Sequence, residues 1–580
     1  LFLIWGMASL SWAHAPWAVW EGGVRLATFT ALTFGLYHLF SISPELRRKT
    51  WDLCLWGLAL VALGYGANLI YHDFDVPGRF GFPFANPNLA GSVLGFGAML
   101  ALTRLFYLLG RERQKAVLPG VCFVLLAWLT GACGSKSGLL SMLFAILTLV
   151  YFLWPPSQKI LRTFFFGAMA GTAWWMHSGG KEFLLRSAIG PSLEVRLSVW
   201  ADTLKMIFHS PLRFFLGWGS GNFFPNFPNF QDPRFYSSIY SSDLVHFPHN
   251  FFLELLAEYG AIGLLLFLSM ICRTLWALWR LWKKNEAFEE RTDLAAVFGG
   301  TFLLMFDALS SVSLSYPHVQ FFLALIVAWT ASSREASEKR IFVPVRFPRF
   351  FSRAFLVLSV LFLSVSWKYY GLDSLFFHLD FKKARIRPSD RVALMLSVEP
   401  PRYDNLYTMQ WRINLGDVLI DHYEKNPFLV EKNLAPFYVL GEKMPAFGTY
   451  WLSRAVLFSK QGKSKEAEDH FLLAARKNPF SELLWIHWGV SCKNRVTDPV
   501  KMREMALFYQ ETYPDHGGPV MGESIARHLL GEKERAQSLA QKAQRWAQSR
   551  LERHYEKRAE AIGQWAREYL ISFKSVPGKK

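Results

Sequence analysis

The sequence contains little cysteine and few charged side chains for its length. Five of its 580 residues are cysteine, and only 19% are Asp, Glu, Lys or Arg. The cysteines show none of the paired spacings of a disulfide framework or a zinc ribbon, and they stand at Cys54, Cys122, Cys133, Cys272 and Cys492. Neither a disulfide framework nor a zinc ribbon is therefore predicted, and we separately expect no metal ion and no cofactor.

Apolar residues are abundant instead. They make up 52% of the chain, with 52 Phe and 23 Trp. A helix needs about 20 mostly apolar residues to cross a bilayer. Eleven runs fit or approach this length, at 1–12, 23–42, 51–70, 89–109, 117–132, 137–154, 160–178, 252–272, 292–310, 315–331 and 354–370. The predicted fold is all-α, a polytopic membrane bundle of about 11–12 spans.

The distribution of Lys and Arg predicts how this bundle is oriented. If the first residue enters from the cytoplasm, the inner segments carry 20 Lys and Arg and the outer segments carry 9. Positive residues concentrate on the cytoplasmic side of membrane proteins. We therefore expect a bacterial inner-membrane protein whose C-terminal part lies outside, in the periplasm of a Gram-negative cell. The net charge of +18 then reflects topology and not nucleic-acid binding.

Two domains follow from the hydropathy. Residues 1–370 form the membrane domain, with a long external loop at 179–250, and residues 371–580 form an exported helical domain. The clearest repeat lies at 448–481 and matches a 34-residue tetratricopeptide pattern. Its matching positions are Trp451, Ala455, Phe458, Gly462, Ala467, Phe471, Ala474 and Pro479. Such repeats bind a protein partner or an acceptor, or serve only as a helical scaffold.

The stretch "HFPHNFFLELLAEYG" places proton-handling groups at the mouth of a span. His249 precedes a helix on which Glu254 and Glu258 share one face. Histidine changes charge near neutral pH, which suits it to accept a proton from an attacking hydroxyl. The alternative is an interfacial cap, since Asn250 is a residue that caps helix starts.

Other outer segments hold candidate ligands for an anion. Arg196 borders the apolar stripe of an amphipathic helix beside Trp200, where a cation needs an anionic partner such as a lipid headgroup or a phosphate. Gly219, in "GWGSGNF", would let the backbone approach a ligand closely. The candidate substrate-binding residues are, in all, Asn86, Asn88, Lys136, Arg186, Trp200, Gly219, Asn250 and Glu258.

These stretches together resemble the O-antigen ligase and polymerase superfamily of membrane glycosyltransferases, over roughly residues 60–330. The resemblance rests on "NPNLAG", "LTGACGSKSG", "VRLSVWADTLKMIFHSPLRFFLGWGSGNF" and "HNFFLELLAEYGAIGL". It implies transfer of a glycan from undecaprenyl pyrophosphate to an acceptor hydroxyl without a metal, with lipid A–core as the favoured acceptor. His249 and Arg196 are then catalytic, and Arg186 adds positive charge. The family carries Ser-Arg-Gly where this chain has Ser135-Lys136-Ser137.

Four alternatives remain open at this stage. The same fold could polymerise surface polysaccharide or glycosylate a protein. A transporter of lipid-linked glycans would favour charges within spans, where Asp307 is the one deep acidic residue. A haem-handling cytochrome assembly protein would show a Trp-rich outer motif ending in Trp-Asp, and the sequence lacks it.

Overall fold

A computed structural model describes residues 1–71, 86–109, 111–153, 190–232, 245–284 and 288–338 of the membrane domain. In the C-terminal part it describes residues 412–551, with short gaps at 414, 417, 421–422, 444–447, 480 and 515, and residues 562–568. The predicted spans 160–178 and 354–370 and Arg186 lie outside these ranges. The described residues contain helices and no strand, which confirms the all-α prediction.

Twelve helices belong to the described part of the membrane domain. They are α1 Phe2–Ala8, α2 Pro16–Ile42, α3 Pro44–Tyr71, α4 Pro87–Leu109, α5 Arg113–Ala132, α6 Lys136–Leu153, α7 Gly190–Ile207, α8 Pro211–Leu216, α9 Phe223–Asn226, α10 Phe251–Lys284, α11 Phe288–Ser310 and α12 Pro317–Glu338. Six of these (α3 to α6, α10 and α11) are long and apolar enough to cross a membrane. Nine of the eleven predicted spans coincide with described helices.

Several of these helices begin before the apolar run that predicted them. The helices α2, α3 and α4 begin at Pro16, Pro44 and Pro87, which are seven, seven and two residues ahead of the predicted starts. Proline suits the first position of a helix because its φ is already helical and the N–H that it lacks would have no partner there. Hydropathy alone does not register this signal, since proline and the polar residues of a first turn lower the apolar average.

Contacts between loops occur at the two ends of the bundle. At each end they join segments that were predicted to lie on the same side of the membrane. At one end Arg47 donates from Nη1 to the Ser332 carbonyl over 3.0 Å, and Arg104 forms ion pairs with Asp52 and Asp293. All of these residues lie in or beside segments predicted to be inside. At the other end, contacts join the segments predicted to be outside, at 9–18, 86–88, 135–137, 217–224 and 310–316.

The C-terminal helices pack as successive hairpins. They are α13 Pro427–Asn433, α14 Ala435–Lys443, α15 Gly448–Lys460, α16 Ser464–Lys477, α17 Glu482–Lys493, α18 Pro499–Thr512, α19 Gly517–Leu529 and α20 Lys533–Leu551. The small residues Ala455 and Ala467 are fully buried between α15 and α16, where they let the two helices approach closely. The turn between them contains Gly462 with φ of +72°.

The C-terminal helices also contact the membrane domain. Ile413, Leu415 and Phe437 share one apolar core with Trp17, which precedes the apolar part of α2, and with Phe224 in the external loop. This core therefore joins the first C-terminal helices to the end of the bundle that is predicted to face outside.

Candidate functional site

The helix α10 is broken at Gly260, and the break receives a turn from the external loop. Gly260 has φ of +68° and ψ of −175°, which interrupts the helical hydrogen-bond ladder. The carbonyls of Ala257 and Glu258 accept instead from the N–H groups of Trp218 and Gly219, over 2.8 and 2.9 Å. Residues 217–221, which we call the glycine turn, are thus bound by backbone contacts to the first third of α10.

Three glycines of this turn have positive φ, and other parts of the chain lie so close to them that a side chain would not fit. A Cβ atom on Gly217 would lie 2.3 Å from the Glu258 carbonyl oxygen, and one on Gly221 would lie 2.3 Å from that of Ala18. A Cβ on Gly219 would lie 2.7 Å from the Ala13 side chain. The structure places Ala13 of the protein itself against Gly219. Substrate binding by Gly219 stays a prediction.

Glu258 holds the same turn with its side chain. Its carboxylate oxygens accept from the N–H groups of Gly221 and Phe223 over 2.8 and 3.3 Å, and the side chain is only 4% exposed. A buried carboxylate is costly unless such donors satisfy it. These contacts assign Glu258 a structural part in fixing the external loop, whereas the sequence suggested a substrate ligand.

Gly260→Ala is expected to destabilise the protein by about 3 kcal/mol, because the new methyl group meets backbone and the residue keeps a left-handed φ. Its Cβ would lie 2.2 Å from the Phe215 carbonyl oxygen. Thermal unfolding of the purified protein, followed by circular dichroism, measures the change. The matched control is Gly462→Ala, with φ of +72° but no atom within 4 Å of the new Cβ. Gly462→Ala should lower the stability by only about 1 kcal/mol. Equal losses of stability in the two variants would mean that the contact between Gly260 and the external loop does not stabilise the protein.

Residues 245–250, which we call the histidine turn, lead into α10. Asn250 caps the helix, since its Oδ1 accepts from the N–H groups of Phe252 and Leu253 over 3.0 and 3.1 Å. Trp200 of α7 donates from Nε1 to the Pro248 carbonyl over 2.8 Å. Asn250 and Trp200 thus shape the turn, and any substrate contact by either stays a prediction.

The backbone of His249 is unusual. Its φ is +53°, and His249 and Arg495 are the two non-glycine residues with positive φ in the described stretches. A left-handed conformation costs a non-glycine residue about 1–3 kcal/mol and persists only where the surroundings impose it. Here the cap and the Trp200 contact impose it on either side of the histidine, and an observed outlier of this kind is a reason to suspect function.

Arg196 contacts a second loop, residues 310–316, which we call the serine loop. Its Nη1 donates to the carbonyl of Ser310, the first residue of this loop, over 2.6 Å, and its charge acts on the buried Asp307. The far end of the serine loop reaches α10, where Ser315 donates to Glu254 Oε2 over 2.7 Å. The serine loop therefore connects the helix that carries Arg196 with the helix that His249 precedes.

Asn88 belongs to a buried polar seam beside the serine loop. Its Oδ1 accepts from Ser135 Oγ over 3.2 Å, and Asn86 Oδ1 accepts from the Asn88 N–H over 2.9 Å. Ser92 continues the seam by donating to Asp307 Oδ2 over 2.7 Å. The stretches "NPNLAG" and "GSKSG", which were both predicted to lie on the outer side, thus contact each other. The side chain of Lys136 is exposed at the start of α6.

Sequence reasoning missed several polar residues that the structure places here. Arg25, in the apolar helix α2, lines a cavity of about 50 Å³ together with Glu254 and Glu258. The Asp307 side chain was noted as a deep acidic residue but was assigned no part. A charged residue within an apolar run is the signal that could have identified both.

The described residues hold no cluster of three or more His, Cys, Asp or Glu side chains that could bind a metal ion. The sequence does contain Asp73 and Asp75 two positions apart in an outer segment, a spacing that the metal-free prediction left out of account. Both lie outside the described residues.

Comparison with known proteins gives two matches. Residues 121–268 match the family described as O-antigen ligase. These residues include Arg196, the glycine turn and His249. The chain is also similar to the teichuronic acid biosynthesis protein TuaE of Bacillus subtilis (strain 168), at 23% identity over 355 residues, which are 56% of this chain and 69% of that protein. Together with six helices that could span a membrane, these similarities support a multi-pass membrane protein that resembles O-antigen ligases over part of its length.

Proposed function

We propose that this protein is a membrane glycosyltransferase that moves a glycan from undecaprenyl pyrophosphate to an acceptor hydroxyl. The reaction would take place at the periplasmic face of the inner membrane. The observation that carries the proposal is the pair of contacts made by the serine loop. Arg196 contacts this loop at Ser310, and Ser315 donates a hydrogen bond to Glu254 of α10, the helix that follows His249. These contacts support a site at one end of the bundle in which Arg196 and His249 act together.

The transfer needs two things from the protein. The acceptor hydroxyl must lose its proton as it attacks the anomeric carbon, and His249 is the group proposed to accept it. The bond from that carbon to the pyrophosphate breaks, and Arg196 is proposed to stabilise the negative charge that the leaving group gains. A site at the membrane end suits this donor because its lipid stays in the bilayer.

The acceptor is proposed to be lipid A–core, with a growing polysaccharide or a protein as alternatives. The experiment supplies the purified protein in sealed lipid vesicles with undecaprenyl-pyrophosphate glycan and each acceptor in turn, with and without EDTA. Product should form with one acceptor and persist in EDTA. Loss of product in EDTA would contradict the metal-free reaction, and movement of donor across vesicles without transfer would favour the transporter.

The C-terminal domain is proposed to be periplasmic and built of tetratricopeptide repeats. Its contact with Trp17 and Phe224 supports this location, because both residues lie at the end of the bundle predicted to face outside. Alkaline phosphatase folds only after export, so a fusion after Pro400 is expected to be active. A fusion after Glu112, in a segment predicted to be inside, is the control and should be inactive. The reverse pattern would overturn the topology.

A further inference from the structure

Four aromatic rings form a continuous row directly before His249. The Phe224 ring stacks on His246 with centroids 4.9 Å apart and an angle of 21° between the rings. His246 is followed by Phe247 at 6.5 Å, and Phe247 by Tyr316 of the serine loop at 5.9 Å. The row thus runs from the core shared with the C-terminal domain to the loop that Arg196 contacts.

Only part of this row is used for packing. Phe224 is 5% exposed and belongs to the core shared with the C-terminal helices. Phe247 is half-buried and belongs to none of the apolar cores that the described residues form. Phe247 is thus a partly exposed ring outside these cores, two residues before His249.

The polar groups along the row are neutral. His246 Nδ1 is buried and lacks a hydrogen-bond partner among the described residues, and burial lowers the pKa of His246 to about 4. Its imidazole is therefore uncharged at neutral pH. Tyr316 carries a phenol hydroxyl, which is also uncharged at neutral pH.

A sugar ring has the complementary chemistry. One face of a pyranose presents C–H groups, which fit the negative face of an aromatic ring, and its rim carries hydroxyls that need hydrogen-bond partners. A row of rings with neutral donors and acceptors offers both. A phosphate group would require positive charge instead. Arg196, which contacts the serine loop at Ser310, carries such a charge.

We propose that Phe247, with His246 and Tyr316 beside it, forms a subsite that binds a sugar ring of the glycan next to His249. This proposal rests on the proposed function and extends it to a ligand-binding position. The sugar can belong to the donor or to the acceptor, since both place a ring near the bond that forms.

The first test measures sugar binding without any transfer. Saturation-transfer NMR with neutral methyl pyranosides compares the full-length protein with Phe247→Leu, which keeps apolar volume but removes the ring, and with Phe247→Tyr, which keeps the ring. Loss of one stacking contact should weaken binding about tenfold in the leucine variant, whereas the tyrosine variant should bind like the wild type.

The matched control is Phe208→Leu, which removes an exposed ring that stacks on Phe214 away from the row. Equal binding by wild type and Phe247→Leu would overturn the subsite, as would an equal loss in the control. A second arm measures transfer with the donor and acceptor varied separately. An increased KM for the donor assigns the sugar to the donor, and an increased KM for the acceptor assigns it to the acceptor.

The two proposals fail separately. If the wild type transfers no glycan but binds pyranosides through Phe247, the subsite stands and the proposed function is wrong. If transfer proceeds with unchanged KM values in Phe247→Leu, the function stands and the subsite is wrong.

Discussion

Replacing His249 with glycine is expected to reduce glycan transfer by about 10²- to 10⁴-fold, which is the usual contribution of a general base. The same change should leave the protein as stable as the wild type or more so, by about 1 kcal/mol. The reason is the φ of +53°, which glycine adopts without strain. A loss of transfer in a stabilised protein is the opposite of what a merely structural histidine would give.

Two measurements check this expectation. Thermal unfolding gives the stability, and single-turnover transfer with undecaprenyl-pyrophosphate glycan gives the chemical step. Added imidazole should restore part of the transfer in His249→Gly, because it can occupy the space that the side chain leaves. The matched control is Arg495→Gly, which relieves a φ of +60° in the C-terminal domain and should stabilise the protein without slowing transfer. Full transfer by His249→Gly would exclude this base.

Hydropathy predicted the membrane helices well because it reports a local property. A run of apolar residues long enough to span a bilayer must form helix, since no other local structure satisfies its backbone in lipid. Nine predicted spans coincide with described helices for this reason. The starts differed where a proline began the helix ahead of the apolar run, as at Pro16 and Pro44.

The glycine turn shows what a single sequence cannot supply. A glycine run indicates that something approaches the backbone closely, but the pattern is the same for a ligand and for another part of the chain. Here the neighbours are Ala13 and Ala18, about 200 residues earlier, and the break at Gly260. The sequence likewise gives no sign of the hydrogen bonds that Glu258 accepts, because its two backbone donors come from a distant loop.

The serine loop was missed because it carries no charged residue and no distinctive spacing. Its importance appears only in contacts that converge from separate helices, through Ser310, Ser315 and Tyr316. Arg196 and His249 were identified because a charged and a titratable residue stand out beside apolar runs. Charged and titratable candidates are thus easier to select from a sequence than the neutral residues that contact them.

Arg196→Lys is expected to lower the rate of transfer by about 10²-fold with little change in the KM for the donor. The guanidinium has several donors in a rigid plane, so that one N–H can hold the Ser310 carbonyl, at 2.6 Å, while others bind phosphate oxygens. A lysine ammonium at the end of a flexible chain cannot maintain both contacts. Because the pyrophosphate gains charge as it leaves, the loss falls mainly on the transition state.

The matched control is Arg213→Lys, a change of the same kind in the same external loop. Arg213 stacks over the Trp218 ring at 4.4 Å and donates to the Trp12 carbonyl over 3.3 Å, which are packing contacts of the glycine turn. We expect this variant to lose about 1 kcal/mol of stability and to transfer glycan at the wild-type rate per folded molecule. Steady-state kinetics with donor concentration varied, alongside thermal unfolding of both variants, measures the difference. Equal slowing by both substitutions would mean that Arg196 only supports the fold, because a phosphate ligand must affect the chemical step beyond its effect on stability.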